Sequence, residues 1–587
     1  MKILGLVSEN HDAGLALIED GVPTVILEEE RFNREKHTLE FPFLALGALF
    51  RDGGCRLDEI EAITTPWDPR RLRRTYLQTI WANFPLSLCL LRPSAQPTQD
   101  SGTVILNYWM RKDLKRFFGK QRLPPIVNVG HHESHAAVFF VSPFEEAAVL
   151  VMDGHGDECA TSAYMGRGAR LEKLWSGSLL DSIGIVYTLV TRHLGFRIFE
   201  EGTVMALAAC GDDTYVEKMR DTVRLQDDGQ FSLNMEYFSF NKYGVLRPFT
   251  RKFLETFGSP RLHGEALTDR HRDLARALQM VTEDVVIHVA RDLARRTGSR
   301  LLCLSGGVAL NCVANARILR DTDFERVWVP PCASDTGGPL GSALWLHHQT
   351  LGRPRRFEMT HPFFGREFSG DEIKSALDRA GIAFETMGEN ELARRAARDL
   401  ADGKIVGWFQ GREEIGPRAL GGRSILASPL KAEIRDIINR RIKQREPFRP
   451  FAPAVLAEYA SEYFEISQAD PFMTTAPRVR PEKAGRIPAA VHVDGTARIQ
   501  TVDRRSNPRF YDVIEEFRKL TGVPVLLNTS FNKQEPIVSS PEDAISCFQR
   551  TGMDALAIGP FFAAAPGPEP WDRAPDRANL RTPMQLK

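Results

Sequence analysis

The sequence predicts an α/β protein of two unequal units, the first internally duplicated. Three observations carry this. Residues 3–30 and 147–175 share one plan: an apolar run, a polar turn, a second run, a Gly-containing turn and a third run. A buried-strand run at 301–304 ends in Ser305-Gly306-Gly307, where a helix should begin. After a Gly-, Pro- and Arg-rich stretch at 351–356 the pattern restarts, with a new strand at 405–409.

The totals bound the reading. A chain of 587 residues is too long for a single core. Its 76 Lys and Arg balance 76 Asp and Glu, which removes the usual electrostatic reason to expect a nucleic-acid partner. None of the 8 Cys pairs at CxxC spacing, so reduced thiols and a cytoplasmic setting are expected. The N-terminus enters a strand-like run without a signal-peptide layout. The apolar stretch 80–91 contains Asn83 and Pro85 and is too short to span a bilayer, so no membrane partner is expected.

In chain order, strands are expected at 3–7, 13–18 and 25–27, with the polar turn Ser8-Glu9-Asn10-His11-Asp12 after the first. Residues 41–122, rich in Leu, Arg and aromatics, read as a helical insertion. A strand at 126–129 leads to His131 and His135. If that segment is helical, both imidazoles lie on one face and can share a metal ion. A cap and a packed core residue would explain the same pair. The run 147–152 ends in Asp153-Gly154-His155-Gly156-Asp157 and offers Asp153 as a third ligand. A long helix is expected over 265–298. Gly306, Gly307 and Asn311 follow the next strand, where backbone N–H groups can face a phosphate or nucleoside. Asp335, after the strand at 326–329, is either a helix cap or a fourth ligand. The paired hairpins with polar first turns resemble the phosphate loops of the superfold shared by actin, the heat-shock ATPases and the sugar kinases.

The second unit concentrates cations beside Gly turns: Arg412, Arg418, Arg423, Lys443, Arg445 and Arg449. Such groups suit polyphosphate anions. A last strand at 523–527 ends in Asn528-Thr529-Ser530-Phe531-Asn532. From Pro566 on, the chain reads as an extended tail.

Ten blocks together resemble a known family. They are HDAGLAL (from His11), EEERFNREKH (from Glu28), HHESHA (from His131), VMDGHGD (from Val151), GGVALN (from Gly306), SDTGG (from Ser334), GPRALGGRSILASP (from Gly416), KQREPFRPFAP (from Lys443), HVDGTARIQTV (from His492) and LLNTSFN (from Leu526). The chain is similar to the O-carbamoyltransferases of antibiotic and Nod-factor biosynthesis, of NodU/CmcH/TobZ type. The resemblance implies an ASKHA-type (actin-like, duplicated ribonuclease-H-like) metal-binding domain over 1–352, a linker at 353–365, a YrdC-like α/β domain over 366–565 and a tail at 566–587. It implies that carbamoyl phosphate and ATP, the latter with Mg(II), give carbamoyl-adenylate in the second domain. The first domain then passes the carbamoyl group to a hydroxyl of a small-molecule acceptor.

By family position, His131, His135, Asp153 and Asp335 are the metal ligands and Fe(II) the expected ion; the donor set also suits Zn(II) or Mn(II). Lys443 and Arg445 match a KxR pair, Ser530 and Asn532 an SxN pair. Arg418, Arg423, Arg449 and Arg498 are further anion contacts. Gly306, Gly307 and Asn311 border the adenosine, and Asp12 is grouped with the co-substrate contacts. His11 is the expected general base, while His132 and His155 are given supporting roles. Thr203 stands where relatives often carry a basic residue. Transfer of a threonylcarbamoyl group to tRNA, a small-molecule kinase and a non-catalytic binding protein are the competing readings. The acceptor is not readable from the sequence, and neither is the oligomeric state, for which a homodimer is one option.

Overall fold

The computed structural model describes residues 1–92, 105–262 and 264–565. The extended tail expected from Pro566 lies outside the described residues, as does part of the 41–122 stretch.

The first sheet contains β1 (Lys2–Val7), β2 (Gly14–Glu19), β3 (Val22–Glu28), β4 (Ile60–Thr65) and β5 (Ile126–Asn128), in the order β3-β2-β1-β4-β5. The hairpin pairs β1–β2 and β2–β3 are antiparallel, whereas β1–β4 and β4–β5 are parallel. The second sheet repeats this plan. Here β6 (Glu146–Met152), β7 (Thr161–Arg167) and β8 (Arg170–Ser176) form the antiparallel meander. After a small hairpin of β9 (Val223–Leu225) and β10 (Phe231–Leu233), β11 (Leu301–Ser305) and β12 (Arg326–Trp328) add in parallel, giving β12-β11-β6-β7-β8. Two five-stranded sheets with one topology are the duplicated plan of the actin-like fold.

This corrects the reading of 41–122 as a helical insertion. The stretch holds β4, whose buried residues Ile60, Ala62 and Ile63 make it an inner strand of the sheet. Its helices, Pro69–Ala82 and Leu106–Phe118, belong to the crossover that a parallel strand requires. The run 80–91 is a surface element with Trp81, Phe84 and Leu91 exposed. Among the described residues no helix is long and apolar enough to cross a membrane.

The helix Asp269–Thr297 buries Leu274, Leu278, Val281, Val285, Val289 and Leu293, the stripe its 3.6-residue period dictates. The short helix Gly338–Leu344 is clamped between the first sheet and the helix His131–Ala136. A Cβ on Gly5 would lie 1.8 Å from the Pro339 carbonyl oxygen, and one on Gly341 1.9 Å from that of Ser134. These approaches draw the segment after Asp335 and the histidine helix together.

The third sheet contains β13 (Glu385–Thr386), β14 (Val406–Phe409), β15 (Arg423–Ala427), β16 (Ala452–Leu456), β17 (Gln500–Val502), β18 (Val525–Ser530), β19 (Ala555–Ile558) and β20 (Phe561–Ala564), in the order β13-β20-β19-β14-β15-β18-β16-β17. Helices Glu389–Ala401, Pro508–Thr521 and Pro541–Thr551 contribute to its apolar core.

The linker at 353–365 is strapped to the first unit. Arg355 donates to the carbonyls of Phe140, Ser142 and Phe144, and Met359 and Phe364 are buried. The two units are locked at a buried joint. Arg31 donates to the Gly416 carbonyl (2.8 Å) and lies 3.3 Å from Glu413, while Glu28 accepts from Gly416 N–H (2.6 Å).

Candidate functional site

The candidate metal cluster is assembled from three chain segments. The helix His131–Ala136 supplies both imidazoles from one face, one turn apart. Asp153 follows the end of β6, and Asp335 opens the turn before helix Gly338–Leu344. All four side chains are buried. Their donor atoms lie within 4.8 Å of one another. His135 Nε2 is 3.0 Å from Asp153 Oδ2 and 3.4 Å from Asp335 Oδ1. His131 Nε2 is 3.3 Å and 3.6 Å from the same two atoms, and 3.2 Å from His135 Nε2.

Three of these five spacings, 3.3, 3.4 and 3.6 Å, fit an ion directly. Donors about 2.0–2.2 Å from a tetrahedral centre stand roughly 3.3–3.6 Å apart, longer than a charge-assisted hydrogen bond. Two nitrogens and two carboxylate oxygens facing one point suit a divalent transition metal. The surroundings aim the donors inward. Ser305 Oγ sits 3.4 Å from His135 Nδ1, and Gly154 N–H donates to Asp153 Oδ1 at 2.6 Å. Trp67 packs on the His131 ring at 4.0 Å between centroids. Burial opposes charge on His135, but hydrogen bonds to Asp153 and Asp335 raise the imidazole to about 9. Burial also opposes charge on Asp153, yet His131 and His135 hold its carboxyl well below the usual range. His132 pairs with Ser162 (2.8 Å), and His155 falls to about 4 through burial and the neighbouring His131.

His11 stands beside this cluster, its Nε2 3.6 Å from Asp335 Oδ2 and its Nδ1 3.0 Å from Asp12 Oδ2. Asp12 does not present a clear face to an anion. Its other oxygen is 2.7 Å from His37 Nδ1, so both oxygens are engaged by imidazoles. Burial opposes the Asp12 charge, but His37 and His11 hold it well below the carboxylate range. Asp12, expected as a co-substrate contact, is the carboxylate between two histidines.

One cavity of 1140 Å³ runs from this end to the second unit. Asp153, Asp335, His11, Asp12, Gly307 and Asn311 line it from the first unit. Arg418, Lys443, Arg445, Arg449, Arg498, Ser530 and Asn532 line it from the second. Gly306 sits just behind the wall at φ +92, where a Cβ would lie 2.2 Å from the Met152 carbonyl oxygen. Asn311 caps the helix Cys312–Asp321 and bonds Gln279. Lys443 is held at the end of β18 by Ser530 O (2.5 Å), Ser530 Oγ (3.1 Å), Asn532 O (2.9 Å) and Asn532 Oδ1 (2.7 Å). Burial and the nearby Arg445 charge pull its ammonium well below the usual range. Burial and then neighbouring guanidinium groups lower Arg418 and Arg445. Arg498 Nε is buried without a hydrogen-bond partner. Cations gathered so closely, with a donor left unused, suit a multiply charged anion.

Two predicted anion contacts are placed elsewhere. Arg423 is fully buried, stacks on Phe409 at 3.7 Å and donates to the carbonyls of Gln410, Gly422 and Arg366. It does not line the cavity. Arg412 donates to the carbonyls of Gly365, Phe364 and Thr24, joining the units. Residues that face carbonyls and residues that face a cavity look alike in sequence. His37, Lys36 and Thr203 also line the cavity. His37 carries a sequence signal, a titratable residue inside EEERFNREKH, that gave no role.

A duplicated actin-like unit and an α/β unit thus share one cavity, with a His/Asp cluster at one end and cations at the other. Residues 2–344 match the model of the carbamoyltransferase N-terminus and residues 397–564 that of the carbamoyltransferase C-terminus. The chain belongs to the carbamoyltransferase family. It is 38% identical to the protein sll1178 of Synechocystis sp., over 96% of both chains. It is 36% identical to nodulation protein NolNO of Sinorhizobium fredii, over 96% of this chain and 80% of that one. Nodulation protein U of Rhizobium tropici is 38% identical over 40% of this chain and 39% of its own.

Proposed function

We propose that this carbamoyltransferase is an ATP-dependent O-carbamoyltransferase that works in two steps inside one cavity. The continuity of the cavity between the cation cluster and the His/Asp cluster carries this reading. The second unit, read as YrdC-like, takes carbamoyl phosphate, ATP with Mg(II), and one water. Water releases phosphate from carbamoyl phosphate, a carbamate oxygen bonds to the α-phosphorus of ATP, and pyrophosphate leaves. Lys443, Arg445, Arg418, Arg449 and Arg498 neutralise the charge that these reactants bring together. Ser530 and Asn532 fix the Lys443 ammonium at the strand end. Gly307 and Asn311 border the adenosine.

In the second step an acceptor hydroxyl attacks the carbamoyl carbon and AMP leaves. His11 takes the hydroxyl proton, with Asp12 holding its Nδ1 so that Nε2 faces the reacting end. His131, His135, Asp153 and Asp335 would hold a divalent metal, proposed as Fe(II), which would supply Lewis-acid chemistry at this end of the cavity. The acceptor is read as a small-molecule natural product rather than tRNA, in keeping with the balanced charge.

The test supplies metal-loaded protein with ATP and labelled carbamoyl phosphate. Pyrophosphate and phosphate should appear in equal amounts, and label should pass to a hydroxyl acceptor. An active, metal-loaded preparation that releases no pyrophosphate sinks the reading.

A further inference from the structure

The cavity contains a second imidazole that the two-step reading leaves unused. His37 Nδ1 lies 2.7 Å from Asp12 Oδ1, while His11 Nδ1 lies 3.0 Å from Asp12 Oδ2. One buried carboxylate is thus shared by two histidines 26 residues apart in sequence. The 2.7 Å spacing belongs to a charge-assisted hydrogen bond and is shorter than that between donors around an ion. Although Asp12, Glu30 and His37 could hold a cation, the short contact favours a hydrogen-bonded array.

The backbone is bent to make this array. Asp12 has φ +62 and His37 φ +53, both in the left-handed region that non-Gly residues enter uncommonly, Asn, Asp and His more often than the rest. His37 is fixed from two further sides. Its backbone N–H donates to Glu30 Oε2 at 2.9 Å, and its ring stacks on Phe199 at 3.8 Å and 21°. Phe199 is itself left-handed, at φ +71. Three left-handed residues around one carboxylate, the bulky Phe199 the least tolerant of that conformation, point to a geometry that the surrounding structure enforces.

We propose that His37 is a positioning residue for the transfer step. By donating Nδ1–H to Asp12 it fixes that carboxylate, and Asp12 in turn fixes the ring of His11 with Nε2 toward Asp335. The proposal rests on the reading of His11 as the general base, and its test separates failure of one from failure of the other. It also makes a demand on substitution chemistry. Asn places an amide N–H where His carries Nδ1, and it tolerates a left-handed backbone. Gly relaxes the backbone but supplies no donor.

The experiment compares wild type, His37→Asn and His37→Gly, each loaded with metal. Label is followed from carbamoyl phosphate into glycerol as hydroxyl probe, and pyrophosphate release is measured separately. His37→Gly should lose about 10- to 100-fold in transfer kcat, the range for orienting partners. Pyrophosphate release and the KM values for ATP and carbamoyl phosphate should stay at wild-type level. His37→Asn should recover most of the loss. In parallel, ¹⁵N-histidine spectra should show an Nδ1–H tautomer for His11 that is kept in His37→Asn and averaged in His37→Gly. Full transfer by the Gly variant overturns the proposal, and so does an Asn variant as impaired as Gly. If wild type transfers nothing to glycerol, the spectra alone decide: a His11 tautomer unchanged by His37→Gly overturns it.

Discussion

His135 Nε2 lies 3.0 Å from Asp153 Oδ2, in a contact buried from solvent on both sides. Without a metal this is an ion pair, and the imidazole, raised to about 9, holds a proton at neutral pH. A metal needs that nitrogen neutral. Metal binding near pH 7.5 should therefore release about one proton from His135. Apparent affinity should climb with pH until about 9 and then level off. Calorimetric titration in buffers of different ionisation enthalpy reads the proton directly, and an affinity flat between pH 6.5 and 9 would refute it. The metal-free protein should behave oppositely. A raised imidazole stabilises the fold fully below its unfolded value, about 6.5, and that contribution fades as pH rises through about 9.

The division of labour between the two ends of the cavity predicts a separation of steps. His131→Ala and His135→Ala should lose carbamoyl transfer while pyrophosphate release in the second unit continues. Lys443→Ala should lose adenylation by about 100-fold or more, the scale of removing one charge-stabilising donor, and labelled acceptor should fall with it because transfer then lacks its carbamoyl-adenylate. Rapid-quench measurement of AMP, pyrophosphate and labelled acceptor distinguishes the steps. Joint loss of both in folded His variants would show that the cavity works as one site.

Much of the first unit was legible because its chemistry coincides with its periodicity. His131 and His135 share a helix face, Asp153 ends a strand, and Asp335 opens the turn before a helix, so spacing offers them as candidates and the family resemblance joins them into one ligand set. The strand at 60–65 was not legible. Its six residues lie between helical segments, and only pairing with β1 and β5 defines it. The 28–37 block was legible as a motif but not as a device. The partners of Glu28 and Arg31 are Glu413 and Gly416, more than 380 residues away. Arg423 and Arg418 stand five apart in one Gly-rich block, and only burial tells the pillar from the anion contact.

That distinction is testable. Arg423→Met would leave the Gln410 carbonyl without its buried donor, while the carbonyls of Gly422 and Arg366 keep the backbone N–H groups of Gln410 and Glu413. Stability should fall by about 1–3 kcal/mol, the cost of stranding a buried polar group. The folded fraction should keep wild-type KM values for ATP and carbamoyl phosphate. Arg498→Met should do the opposite, raising those KM values with little change in Tm. A rise in KM without loss of stability for Arg423→Met would restore it to the site.

The joint between the units should respond to pH through Glu28. Burial pushes this carboxyl up to about 7, against the pull of Arg31, 3.6 Å away, and the hydrogen bond from Gly416 N–H. A carboxyl raised in the folded state contributes stability that is complete below its unfolded value, about 4.3. That contribution is lost as pH rises through about 7. The fold should thus become less stable across this window on account of Glu28, even as other carboxylates ionise favourably. Glu28→Gln keeps an oxygen for the Gly416 N–H but has no charge to bury. Its Tm should exceed that of wild type above pH 7, and the difference should shrink toward pH 4.5. Because Arg31 also faces Glu413, its guanidinium keeps an ionic partner in the variant. Arg31→Met has no such rescue. It leaves Glu28 and Glu413 buried without their cation and should cost about 3–5 kcal/mol, the penalty for breaking a buried pair from one side. Thermal denaturation of the three proteins from pH 4.5 to 8.5 checks both statements. A Glu28→Gln curve parallel to wild type over that range would mean that Glu28 stays ionised throughout and that Arg31 outweighs its burial.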